Sequence, residues 1–157
     1  MPSILYITPV DKLQEKISEQ IKPVAGLVGV YVSLNKTQKS TEEMLTAAGI
    51  DTSRMFFIDC VTTEQLRDDV LHVKPEDLDT LSLAIASFIK DIPGEKFLAI
   101  DALSTLLIYN SENKVAKFVK EITEFSKNEL KIIAFSPETK GEELLTKIFN
   151  FFDKVEK

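Results

Sequence analysis

The chain is poor in the residues that staple, chelate or bend a backbone. Its 157 residues include one cysteine, Cys60, and one histidine, His72. A lone cysteine cannot pair within the chain and offers no zinc-ligand spacing. Disulfide scaffolds and zinc modules are therefore excluded, and a reducing, cytoplasmic compartment is expected. A cationic surplus is also missing. Nineteen Lys and Arg face 25 Asp and Glu, for a net charge of −6, so no global positive field draws phosphate backbones and no direct nucleic-acid contact is expected. Apolar runs fall far short of the roughly 20 residues that span a bilayer. The opening stretch has only Ile4–Ile7 and no basic lead-in, so neither a membrane span nor a leader is expected. His72 lacks a Ser or Cys partner in motif context, which leaves a nucleophilic triad unsupported and the ring a surface residue. Low-complexity tracts, internal repeats and linker-like stretches are missing as well.

What remains is the balance of one globular unit, with 44% hydrophobic and 28% charged residues. Surface scaling leaves roughly 8,000 Å² exposed out of about 26,000 Å² for the unfolded chain, enough burial for a core without staples. Five short apolar runs, Ile4–Thr8, Leu27–Ser33, Met55–Asp59, Phe97–Asp101 and Lys131–Ser136, lack helical spacing and read as strands buried on both faces. Segments of helical period separate them. Leu13, Ile17 and Ile21 form a stripe within Asp11–Lys22. Leu78, Leu81, Ile85, Phe88 and Ile89 form another within Asp77–Lys90. Val115, Phe118, Val119, Ile122 and Phe125 do so within Glu112–Lys127, and Leu144, Leu145, Ile148, Phe149 and Phe152 near the end. Ser40 with Glu43 and Thr139 with Glu142 read as capping boxes, and Gly49 as the left-handed end of a short helix, Thr41–Ala48. Asp91-Ile-Pro-Gly94 reads as a turn, and Val61–Glu76 as a loose region holding a short helix and a loop.

This alternation implies a three-layer α/β domain over residues 1–157 with a mainly parallel five-stranded sheet, in which ligands sit at the carboxyl ends of the strands. Those ends carry Pro9–Asp11, Leu34–Lys36, Asp59 and Cys60, Asp101, and Ser136–Glu138. Phe97-Leu-Ala-Ile-Asp101-Ala-Leu-Ser-Thr-Leu-Leu-Ile-Tyr-Asn110 resembles the Walker B strand and following segment of the KaiC-like branch of the RecA-like ATPases, which share the P-loop NTPase fold. Gly29-Val-Tyr-Val-Ser33, Met55-Phe-Phe-Ile-Asp59, Lys131-Ile-Ile-Ala-Phe-Ser136 and Phe151-Phe-Asp-Lys-Val155 resemble that branch's other strands, in order. The resemblance implies a strand order 3-2-4-5-1 with right-handed crossovers. The first strand is then an edge unless the tail or another subunit covers it.

The departures from that family carry the functional reading. A phosphate-binding loop needs glycines that let successive N–H groups face the phosphates, with a Lys and a Ser or Thr. Thr8-Pro9-Val10-Asp11-Lys12 has no glycine, and the five in the chain are Gly26, Gly29, Gly49, Gly94 and Gly141. Pro9 lacks an N–H, and Asp11 is expected to cap the helix with its own carboxylate and repel phosphate. Lys12 reads as a solvated first-turn residue or, if nucleotide binds, as a lone phosphate ligand. Ser33–Thr37, where the family's catalytic Glu usually follows the second strand, contains no carboxylate.

Asp101, at the Walker B position, is either a magnesium ligand or a hydrogen-bonding Asp that organises the next turn through Ser104 or Thr105. Asp59 has the same two readings, with one strand between it and Asp101. A phospho-receiver domain would suit Asp59 but needs an acidic pair where Thr8-Pro9 stands. The function implied is a pseudo-ATPase: a non-catalytic regulatory or protein-interaction module with a degenerate Walker A region, no required cofactor, and a protein partner or second copy as ligand. The alternative is a divergent ATP-binding protein or ATPase using Asp101, with ATP and magnesium as cofactors. Leu103–Tyr109 and Phe149, Phe151 and Phe152 are either contact surfaces or completed core.

Overall fold

The computed structural model describes residues 2–61, 70–125, 129–138 and 142–157. The strands are β1 (Ser3–Thr8), β2 (Val28–Ser33), β3 (Met55–Asp59), β4 (Leu71–His72), β5 (Lys96–Asp101), β6 (Leu130–Pro137) and β7 (Lys154–Glu156). The helices are α1 (Leu13–Ile21), α2 (Gln38–Ala47), α3 (Leu78–Asp91), α4 (Glu112–Glu124) and α5 (Glu142–Ile148). All pairings are parallel, in the order β4-β3-β2-β5-β6-β1-β7.

This corrects the five-stranded expectation and its order. The sheet has seven strands because a short one is added at each edge, while the five expected runs keep the neighbours expected among themselves. Both additions have local causes. Leu71–His72 pairs with Ile58 and Asp59 within the stretch read as loose. Lys154–Glu156 lies along Ile4–Tyr6 and covers the β1 edge. A reciprocal clasp holds that tail: the Ser3 amide donates to Asp153 Oδ2 at 2.8 Å, and the Asp153 amide to Ser3 Oγ at 3.0 Å.

Strands buried on both faces need two covering layers, and each layer has its own core. On one side Leu13, Ile17 and Ile21 of α1 and Leu45 of α2 pack on Tyr6, Tyr31, Phe57, Phe97 and Phe135. On the other, α3, α4 and α5 bring Leu81, Ile85, Val115, Phe118 and Ile148 onto Val30, Val32, Leu98, Ile100 and Ile132. The accessible surface, 8253 Å², matches the size expectation.

Several helix ends differ from the sequence expectation. Thr37, not Ser40, caps α2, its hydroxyl accepting from the Ser40 amide at 3.1 Å, so Ser40 lies inside the first turn. Asp77 and Ser111 cap α3 and α4. Gly49 takes the expected left-handed conformation, φ 81°. The Thr139 box lies outside the described residues.

Candidate functional site

The carboxyl ends of the strands form a row. His72 of β4, Asp59 of β3, Ser33 of β2, Asp101 of β5 and Phe135 of β6 stand opposite one another in register. In a parallel sheet, residues in register share a face, so Asp59 and Asp101 flank Ser33 with β2 between them, the separation expected to keep them from forming a paired site. How each is engaged decides what the row can do.

Asp101 is buried, 3% exposed. Its Oδ2 accepts the hydroxyl of Tyr31, its Oδ1 accepts the Leu34 amide at 3.4 Å, and its backbone carbonyl takes the same amide at 2.7 Å. These partners correct the expectation that Asp101 organises the next turn through Ser104 or Thr105. The carboxylate instead ties the exit of β2 to β5, and the Thr105 amide goes to the Ala102 carbonyl. Burial pushes the Asp101 carboxyl up to about 7, against the opposing effects of the Tyr31 hydroxyl, the Leu34 and Asn35 amides and the Lys36 charge. Burial and the adjacent Asp101 charge raise the Tyr31 phenol well above its ordinary range, so it remains a donor.

Asp59 has a different task. Its Oδ2 accepts the Gln38 amide at 3.0 Å and its Oδ1 the Val61 amide at 2.8 Å. The first amide of α2 has no partner inside the helix, so Asp59 caps from β3 a donor that Thr37 does not reach. Beside it, burial first and then the Asp59 and Asp101 charges push the Cys60 thiol up to about 12. It therefore stays a thiol and is a poor nucleophile. His72 is half-buried in an edge strand, not the surface residue expected, and neither ring nitrogen has a hydrogen-bond partner among the described residues. The Ser33 hydroxyl is also buried without one among those residues.

The turn after β1 closes on itself, though not through Asp11. Val10–Lys12 forms a 3-10 turn in which the Lys12 amide donates to the Pro9 carbonyl at 3.0 Å, and neither this turn nor α1 has a side-chain cap. The self-capping carboxylate is thus corrected to a self-bonded backbone: Pro9 contributes no N–H and the Lys12 N–H is already taken. Lys12 is exposed and lines a cleft of about 310 Å³ with Thr8, Lys16, Glu15 and Glu19. β6 lies between its strand, β1, and the Asp101 strand, β5.

Among the described residues, no group of three or more His, Cys, Asp or Glu is placed to hold a metal ion. None of their helices is long and apolar enough to cross a membrane. A magnesium ion relies on accessible carboxylate and phosphate oxygens, and a lone carboxylate roofed by a phenol and an amide does not fit that requirement. The residue that sequence reasoning missed is Tyr31. A signal for it existed: with the second strand beside the fourth, a Tyr two residues before Ser33 falls on the Asp101 face.

The parallel seven-stranded sheet and two helical layers define a three-layer α/β fold, and the solved structures it resembles place it with KaiC-like folds. The KaiC-like protein PH0186 from the hyperthermophilic archaeon Pyrococcus horikoshii superposes with a TM-score of 0.69 at 14% identity, covering 98% of this chain and 69% of its own. PH0321 of the same organism, an uncharacterized protein crystallised with an unknown peptide, superposes at 0.67 and 11% identity, over 98% and 76% of the two chains. PH0250, also from Pyrococcus horikoshii, does so at 0.64 and 14%, over 98% and 80%. No family model matches the chain, and no curated protein matches its sequence. At these identities the likeness is one of fold.

Proposed function

We propose that residues 1–157 form one non-catalytic, cytoplasmic domain of KaiC/RecA type that acts as a regulatory or protein-interaction module, with ATP hydrolysis lost and a protein or a second copy as partner. The observation that carries this reading is the engagement of Asp101: both carboxylate oxygens are bonded within the protein, under a fully buried Tyr31. Three further features support it. In the β1 turn Pro9 has no N–H and the Lys12 amide is taken, no carboxylate stands in Ser33–Thr37, and the end of the Leu103–Tyr109 stretch is exposed. PH0321, of the same fold, was crystallised with a peptide, which makes protein contact a natural use of such a scaffold.

The second reading, a divergent nucleotide binder, has one favourable feature, the Lys12, Lys16 and Lys157 side chains at the β1 cleft. Glu15 and Glu19 share that cleft and offset two of those three charges. Isothermal calorimetry with ATP and magnesium separates the two. The expected result is no saturable heat below the millimolar range. Saturable heat that disappears in Asp101→Asn would establish the second reading.

A further inference from the structure

We propose that the groove between the amino-terminal ends of α3 and α4 docks a basic segment of a partner protein, one carrying Arg or Lys beside a large apolar residue. This rests on the reading of the chain as an interaction module and names that module's surface. The groove is a cleft of about 200 Å³ with Leu78 and Phe118 in its lining. Glu76, Asp77, Asp79 and Glu121 outnumber Lys114 and Lys117 around it, and the chain as a whole carries −6. Immediately before Asn110, which also lines it, stand Ile108 and Tyr109, 75% and 51% exposed.

Sequence reasoning left Leu103–Tyr109 open between core and contact surface, and the structure divides it. Leu103 and Leu106 are fully buried, whereas Ile108 and Tyr109 face outward. Of the aromatic tail, Phe152 is buried and Phe149 and Phe151 are half-buried against the core.

The groove is pre-formed. Asn110 Nδ2 donates to the Pro75 carbonyl at 3.0 Å and the Leu106 carbonyl at 3.1 Å, tying the entry of α3 to the segment before α4. Further along, the Ser82 hydroxyl donates to Glu121 Oε2 at 3.1 Å, joining the two helices. A groove fixed at both ends loses little conformational freedom on binding. Leu78 and Phe118 are buried beneath the cleft floor, and a long cationic side chain can place its head among the carboxylates at the rim. An apolar neighbour then covers Ile108 and Tyr109. An aromatic residue beside a desolvated charge is the usual composition of an interface hot spot.

The test is an NMR titration of the ¹⁵N-labelled full chain with the capped pentapeptide Gly-Arg-Phe-Arg-Gly, and with Gly-Glu-Phe-Glu-Gly as control. The arginine peptide should shift the amides of residues 76–79, 108–110 and 114–121 saturably, and the glutamate peptide should bind about tenfold more weakly or not at all. Tyr109→Ser and Asp79→Lys, both at exposed positions, should keep a dispersed spectrum and each weaken binding about fivefold or more. Equal binding of the two peptides, saturation at other residues, no shift in the millimolar range, or unchanged affinity in both variants would overturn the proposal. So would a dimer in sedimentation that Tyr109→Ser dissolves, because it would give the groove to a second copy. Saturable heat with ATP would instead defeat the underlying reading, whereas a silent calorimeter with a failed peptide defeats the groove alone.

Discussion

Asp101→Asn should abolish most of the pH dependence of stability between about pH 5 and about pH 8. In the folded chain the carboxyl titrates at about 7, against an ordinary value of 3.8. The folded state therefore holds a proton that the unfolded state has released between those values. Stability from this group is complete below the lower value, falls as pH rises through the window, and levels off above about 7. The whole difference corresponds to about 4 kcal/mol, of which roughly 2–3 kcal/mol falls between about pH 5 and about pH 8. For a chain of this size that is a loss of about 5–10 °C in melting temperature for the parent protein. An asparagine stays neutral throughout, so scanning calorimetry of the variant should show a nearly flat profile over the same range. Comparing slopes removes the fixed cost of fitting an amide beside the Leu34 N–H. Parallel profiles for parent and variant would mean that Asp101 is not the buried acid described.

Gly29→Ala should be the most damaging single-methyl change in the sheet. Gly29 stands in register with Phe97 on the neighbouring strand, and a Cβ built on it would lie 2.1 Å from Phe97 Cε1 and 2.2 Å from Cζ. Such distances cannot be absorbed by a small adjustment. Phe97 is completely buried and β2 and β5 are central strands, so neither ring nor backbone has room to retreat. Overpacking of this kind costs about 3 kcal/mol, at the upper end of the usual range, or roughly 6–12 °C in melting temperature. Phe97→Leu in the Gly29→Ala background should restore more than half of the loss, although Phe97→Leu alone is destabilising. That reversal of sign is the signature of a direct steric pair. A Gly29→Ala protein within about 0.5 kcal/mol of the parent would show that the ring does not lie across the glycine.

Much of the architecture was legible because doubly covered parallel strands must be apolar throughout. Val28–Ser33 and Lys96–Asp101 satisfy that demand almost residue for residue. The two edge strands were not legible from periodicity. Leu71–His72 and Lys154–Glu156 are too short for any period to register, and only the resemblance of Phe151–Val155 to a strand pointed to the tail as a cover for β1. The helix starts show the same limit. Ser40 with Glu43 and Thr37 are equally plausible caps by composition, and the choice follows from Asp59, on another strand, holding the Gln38 amide.

The candidate site divides in the same way. That Asp101 would stand at a strand end, and that the β1 turn has no glycine and loses one N–H at Pro9, could be read from residue types alone. Its seal could not, because Tyr31 and Asp101 are 70 positions apart and meet only through the register of β2 and β5. The expected Asp11 cap is not what the turn uses, since the Lys12 amide bonds the Pro9 carbonyl instead. Cys60 shows how little a residue type settles without its surroundings: burial and two flanking carboxylates make it inert.

Carboxyl-carbon NMR of Asp101, followed through a pH titration with and without manganese–ATP as a paramagnetic substitute for the magnesium complex, bears most directly on whether this aspartate is sealed. A sealed Asp101 titrates at about 7 and keeps a sharp resonance when the metal nucleotide is added. A midpoint in the ordinary range near about 4, with the signal broadened away by manganese–ATP, would mean that the carboxylate is open to a metal and that the site still takes nucleotide.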